Sequence, residues 1–182
     1  MYPLFKNSEY MSLEGKFIIP LKELEDQVTD YEYHLDEEFF KSIEQEDILS
    51  GDLDAYVSVK KTIDAFEIDL EIDGEIVVTC QRCLDELTLP IYTEEHLVVR
   101  FGDDKTAETD ELVIIPEEEG VIDISWYLYE FIGLNIPIHP VHEEGECNEQ
   151  MEELLEKYSP NREKEEIDPR WEGLKNLINN NN

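Results

Sequence analysis

The sequence predicts an α+β fold, with an antiparallel sheet, curled toward a barrel, in the N-terminal two-thirds and helices in the C-terminal third. Three observations predict it. Between Asp52 and Phe101 apolar residues recur at every second position, the period of half-buried strands. Asp73-Gly74 interrupts that region with a dipeptide suited to a tight hairpin turn. From Asp123 onward the apolar spacing lengthens to three and four, the period of a helix with one covered side.

Taken in order, Phe17-Ile18-Ile19-Pro20-Leu21 reads as a short strand near a sheet edge, where proline is tolerated. The stretch from Tyr31 to Glu46 mixes aromatics with acids and fits strand or helix. Leu53, Ala55, Val57 and Val59 then alternate with polar residues, as do Phe66, Ile68, Leu70 and Ile72. A two-residue turn at Asp73-Gly74 would return the chain over Glu75 to Cys80. It would also set Ile76 and Val78 on the acidic face, so either the loop is longer or both faces are covered. Leu87, Leu89 and Ile91 alternate again, as do Leu97, Val99 and Phe101. About five antiparallel strands are therefore expected between residues 52 and 101, with a polar loop from Gly102 to Asp110.

Beyond that loop, Asp123 or Ser125 can cap a helix carrying Ile124, Leu128, Phe131 and Ile132 on one face, widened by Tyr127 and Leu134 and ended by Pro137. This helix is expected to pack across the sheet. Trp126, Tyr127 and Phe131 fit core positions on it better than an exposed aromatic patch. Met151, Leu154 and Leu155 suggest a second helix, and Trp171, Leu174, Leu177 and Ile178 a third, separated by a polar linker from Ser159 to Asp168. The organisation expected is a flexible 1–14, a single domain over 15–178 and a disordered tail at 179–182.

The chain has 182 residues, 47 of them acidic and 14 basic, for a formal net charge of −33. Such a field repels phosphate backbones, because nucleic-acid affinity comes mainly from Lys and Arg displacing counterions. It attracts basic partners, and otherwise serves solubility. The start of the chain has no basic stretch followed by an apolar run, and no segment approaches the roughly 18 apolar residues of a membrane span. Cytoplasmic placement is expected, with neither membrane nor DNA as partner. Three cysteines, two of them three positions apart, make a poor disulfide framework.

Cys80-Gln81-Arg82-Cys83 stands at a strand end. Two thiolates at this spacing can grip one tetrahedral metal, and zinc needs about four ligands. The remaining ligands would come from His139-Pro140-Val141-His142 and Cys147, so that Cys147 with His142 or His139 would complete the set. The competing interpretation makes the cysteines small buried strand-end residues. Dithiol catalysis fits poorly, since it wants the first cysteine at a helix N-terminus and the residues after Cys83 read as strand. No metalloprotease, phosphate-loop or nucleophile-elbow motif is present. A zinc-dependent or dithiol enzyme is thus the weakest of the functional alternatives.

The run Val77-Val78-Thr79-Cys80-Gln81-Arg82-Cys83-Leu84, then Ile122-Asp123 opening a helix that ends in Leu134-Asn135-Ile136-Pro137, resembles the YceD family. Pro140-Val141-His142, Cys147 and Asp168-Pro169-Arg170-Trp171 follow in the family's order, and the resemblance spans roughly residues 15 to 178. It implies a non-catalytic role in the synthesis, processing or stability of 23S ribosomal RNA and in assembly of the large subunit. The sequence departs from many relatives in offering only His142 and Cys147 where they carry a second cysteine pair. Joined to the charge, the resemblance points to a basic large-subunit ribosomal protein, or a pre-ribosomal particle, as partner. The alternative is direct binding of ribosomal RNA through Lys60, Lys61, Arg82 and Arg100, if the strands bring them together. Against it, these four could simply neutralise neighbouring acids.

Overall fold

A computed structural model describes residues 15–43, 45, 47–102, 109 and 112–159. The chain divides into two compact units, Met1–Cys147 and Asn148–Asn182. In the first, the strands are β1 (Ile18–Ile19), β2 (Val28–Leu35), β3 (Ser50–Lys61), β4 (Phe66–Thr79), β5 (Glu86–Phe101), β6 (Leu112–Ile115) and β7 (Ile122–Asp123), and the helices are α1 (Glu37–Ser42) and α2 (Ser125–Leu134). The described part of the second unit is α3 (Glu149–Tyr158), capped by Asn148. The predicted helix around Trp171 and the boundaries at residues 14 and 179 lie outside the described residues, as does most of the loop expected from Gly102 to Asp110.

The main sheet has the order β2-β3-β4-β5-β6, antiparallel except for the parallel pair β5-β6. The fold class is thus α+β as expected. The barrel is not: the sheet is open, because β2 and β6 are its two edges and do not pair with each other. β1 and β7 form a separate two-stranded sheet.

The region from 52 to 101 holds three long strands where about five were expected. The predicted turn at Asp73-Gly74 does not form, and β4 runs straight through it for 14 residues. This removes the difficulty with Ile76 and Val78. With no reversal they stay in phase with Phe66, Ile68, Leu70 and Ile72, and all six are buried on one face. Gly74 is required for another reason. Its φ is +149°, and a Cβ there would run into the Asp52 carbonyl oxygen and lie 2.6 Å from Leu53 Cα on β3. Gly74→Ala is expected to destabilise the fold by at least about 2 kcal/mol, read as a lower urea midpoint at unchanged slope.

The ambiguous stretch after Tyr31 proves to be both elements in turn. β2 gives way at Asp36, whose Oδ1 accepts from the amides of Glu38 at 3.0 Å and Phe39 at 3.1 Å and so starts α1. Phe39 and Phe40 of α1 are buried and in ring contact. α2 packs against β5 and buries Leu128, Phe131 and Ile132 beside Ile124. Asp123 holds its first turn, accepting from the Ser125 amide at 2.9 Å and hydroxyl at 2.7 Å. Leu134 does not widen the apolar stripe and Trp126 is no core residue: both side chains face solvent. Among the described residues no helix is long and apolar enough to cross a membrane.

Candidate metal centre and the sheet face

Cys80 closes β4, and the chain turns over Gln81 to Asp85 before β5 begins. The turn is held by the Cys80 amide donating to the Asp85 carbonyl at 2.8 Å and the Leu84 amide donating to the Cys80 carbonyl at 2.9 Å. Within it the Arg82 amide points at Cys80 Sγ, 3.4 Å away. The segment following α2 lies on this turn. The Gln81 amide donates to the Pro140 carbonyl at 2.8 Å, and the Gln81 side-chain amide to the Ile138 carbonyl at 3.3 Å.

These contacts bring the ligand atoms of Cys80, Cys83, His142 and Cys147 within 4.8 Å of one another. Cys80 Sγ is 3.9 Å from Cys147 Sγ, Cys83 Sγ is 3.4 Å from His142 Nδ1, and Cys147 Sγ is 3.9 Å from the same nitrogen. A tetrahedral metal holding sulfur at about 2.3 Å and nitrogen at about 2.0 Å spaces its ligands by about 3.6–3.8 Å. The four side chains therefore stand almost where such an ion would place them. The three cysteines are buried and carry no disulfide. His142 Nε2 lies 3.0 Å from the Glu86 carbonyl oxygen. Donation there leaves Nδ1 as the lone-pair nitrogen facing the sulfurs, the usual outer-shell device for a metal-binding histidine.

The electrostatics match the geometry. Burial pushes the Cys80 thiol up, but hydrogen bonds from Cys83, His142 and Arg82 outweigh it and bring it down to about 6. Hydrogen bonding to Cys80 raises His142, against its partial desolvation. Burial, then hydrogen bonding to Cys83 and Cys80, pushes Cys147 up to about 11. Cys80 thus carries negative charge more readily than Cys147. Of the two histidines, His142 is the one in the cluster. His139 stands apart on the surface, its Nδ1 3.0 Å from Gln81 Oε1.

Three of the four basic residues come to one end of the sheet, and Arg82 does not join them. Lys60 and Lys61 end β3, and Arg100 lies near the end of β5 on the same side of the sheet. Arg82 is at the far end of β4, about 40 Å away along a strand of that length. Lys60 pairs with Glu67 at 2.7 Å, Lys61 donates to the Leu24 carbonyl at 3.0 Å, and Arg100 reaches Asp64 at 3.7 Å.

A second feature came from neither motif nor composition. On the solvated face of the main sheet, the register sets Asp52 opposite Glu75, Asp54 opposite Asp73, and Glu71 opposite Glu94. A groove of about 770 Å³ crosses this face and is lined among others by Asp30, Glu32, Tyr56, Asp69, Glu71 and Glu94. Several acids of this face are engaged locally: Asp30 accepts from Ser58 at 2.7 Å, Asp69 faces His96 at 2.7 Å, Glu94 accepts from the Tyr92 hydroxyl, and Asp54 lies 3.0 Å from His34 Nδ1. Like charges directly opposed across two strands destabilise a sheet by up to about 1 kcal/mol per pair, so this face carries a cost that a merely soluble surface could avoid.

A family model described as large ribosomal RNA subunit accumulation protein YceD matches residues 68–178. The match takes in β4, β5, the cysteine turn, α2 and all four clustered ligands. No curated protein and no solved structure matches the chain. The family's description implies a role in accumulation of large-subunit ribosomal RNA and names no enzymatic activity. With more than half of its length matched, the chain belongs to the YceD family.

Proposed function

We propose that the protein supports accumulation of large-subunit ribosomal RNA without catalysis, by escorting a basic large-subunit ribosomal protein, or a precursor particle displaying one, on the acidic face of its sheet. The observation that carries this reading is the set of three directly opposed carboxylate pairs beside a groove. Their mutual repulsion is relieved when lysines or arginines enter between them. A net charge of −33 speeds the encounter at low salt. Direct RNA binding gains nothing comparable, since three of the four proposed basic contacts are engaged within the fold and the fourth is remote.

The Cys80–Cys83–His142–Cys147 cluster suits zinc best. Three thiolates and an imidazole at tetrahedral spacing favour it. Four protein ligands leave no open position for substrate, so the ion would be structural and would staple the segment after α2 to the β4–β5 turn.

The test is to pass proteins extracted from purified large ribosomal subunits, after nuclease treatment, over the immobilised chain at about 50 mM and 500 mM salt. Retention of a small number of basic proteins at low salt and their release at high salt is the expected result. If none is retained, while intact large-subunit RNA passed over the same chain in a separate run is, the escort role is wrong.

A further inference from the structure

We propose that a second groove, beside the cysteine turn, is the short-range anchor for an apolar side chain of that same basic partner. The proposal rests on the escort reading and adds where the partner is gripped. The groove, about 600 Å³, lies among α2, the segment that follows it and the end of β4. Leu84, Leu134, Ile136, Pro137 and Tyr129 are in its lining. Its charged residues are Asp47 and Glu130, both acidic.

Three observations point to an occupant. Leu84 has φ +65°, the only non-glycine residue with positive φ among those described. That conformation is unfavourable for leucine and easy for glycine or asparagine. Yet its side chain is 66% exposed, so packing within the fold does not account for it. The hydrogen bonds of the turn hold the backbone of Leu84, but they ask for no apolar side chain there, and a leucine kept in water at a position that favours glycine or asparagine points to something that covers it. Leu134, on the same groove, is 74% exposed. Lastly, the Tyr129 hydroxyl is buried and has no hydrogen-bond partner among the described residues. A buried hydroxyl left unpaired is unfavourable, and a docked backbone carbonyl could take it up after a small shift of the ring.

The chemistry of the lining selects the occupant. Apolar walls with acidic ends fit an apolar residue flanked by lysine or arginine. A second copy of this chain would bring another −33 charges and fits poorly. Nucleic acid is repelled by the same acids. Long-range charge would thus govern how fast the partner arrives, and this groove how long it stays.

The test uses the basic ribosomal protein retained by the immobilised chain, purified and followed by surface plasmon resonance. Leu84→Asn keeps a residue that tolerates the left-handed backbone and removes the apolar contact. We expect dissociation to accelerate roughly tenfold, with association and its salt dependence unchanged. The melting temperature should hold or rise, which a purely structural role for Leu84 would not produce. Leu134→Ser, on an exposed helix position, should act in the same direction. Wild-type dissociation rates in both variants would overturn the anchor and leave the escort reading standing. Failure of the wild-type chain to retain any basic protein would remove both. Crosslinking at this groove to RNA or to a second copy, by a photoreactive residue in place of Leu84, would also overturn it.

Discussion

Cys80→Ser is expected to abolish metal retention, taking zinc from one ion per chain to near zero by elemental analysis after dialysis. A serine oxygen is a poor substitute for thiolate, and Cys80 deprotonates more readily than Cys147. Stability should fall as well. The main sheet has its own buried core, in which Ile68, Ile72, Leu97 and Leu128 take part, so the domain should not unfold outright as a zinc finger does. What an ion there would secure is the segment carrying His142 and Cys147. A loss of about 3 kcal/mol would lower the melting temperature by roughly 6–12 °C in a domain of this size, and a strong chelator should reproduce the shift in the wild type. His139→Ala should keep both metal and stability, because that ring faces Gln81 and not the sulfurs.

The double change Asp54→Lys with Glu71→Lys has the largest expected effect on binding. Each substitution converts one opposed acidic pair into a pair of opposite sign, with Asp73 and Glu94 respectively. A gain of a few tenths of a kcal/mol across each pair is offset by loss of the Asp54–His34 contact at 3.0 Å, so the fold should keep roughly its stability. Affinity for the basic partner should drop roughly 100-fold at low salt, mostly through slower association, and the salt dependence should flatten. A variant that keeps its stability as it loses its partner is the signature of charge held for binding. Loss of stability together with unchanged affinity would mean that these carboxylates serve the fold alone.

Much of the architecture was legible in the sequence because period carries it. The alternation over β3, β4 and β5 and the three-and-four spacing of α2 give the elements their buried faces. The turn at Asp73-Gly74 misled because local turn chemistry competes with phase, and phase wins here. A reversal would have exposed Ile76 and Val78, whereas continuation buries both against the same core. Gly74 is there for the close approach of β3, which depends on strand pairing and cannot be read from a dipeptide. Closure of the sheet likewise depends on edges that only the strand order defines.

The site divides in the same way. Cys80 and Cys83 announce themselves by spacing, and Cys147 by being the only other cysteine. The preference for His142 over His139 follows from the Glu86 carbonyl, more than fifty positions away in sequence, which orients the ring. The opposed carboxylates were hidden in plain view. Asp54, Asp73, Glu71 and Glu94 are all visible as polar positions of alternating strands, but that they face one another is a fact of register. Leu84 gave no signal at all, since a leucine after a cysteine says nothing about a positive φ.

The central claim is that a basic protein sits on the acidic face of the sheet, and zero-length carbodiimide crosslinking in growing cells tests it most directly. The reagent joins carboxylates only to amines in contact with them. The account predicts crosslinked peptides linking β4 and β5, at Glu71, Asp73 or Glu94, to lysines of one large-subunit ribosomal protein, lost in the Asp54→Lys/Glu71→Lys variant and unaffected by nuclease. Crosslinks to ribosomal proteins that avoid this face, or a face that yields none while the chain copurifies with ribosomal RNA, would contradict it.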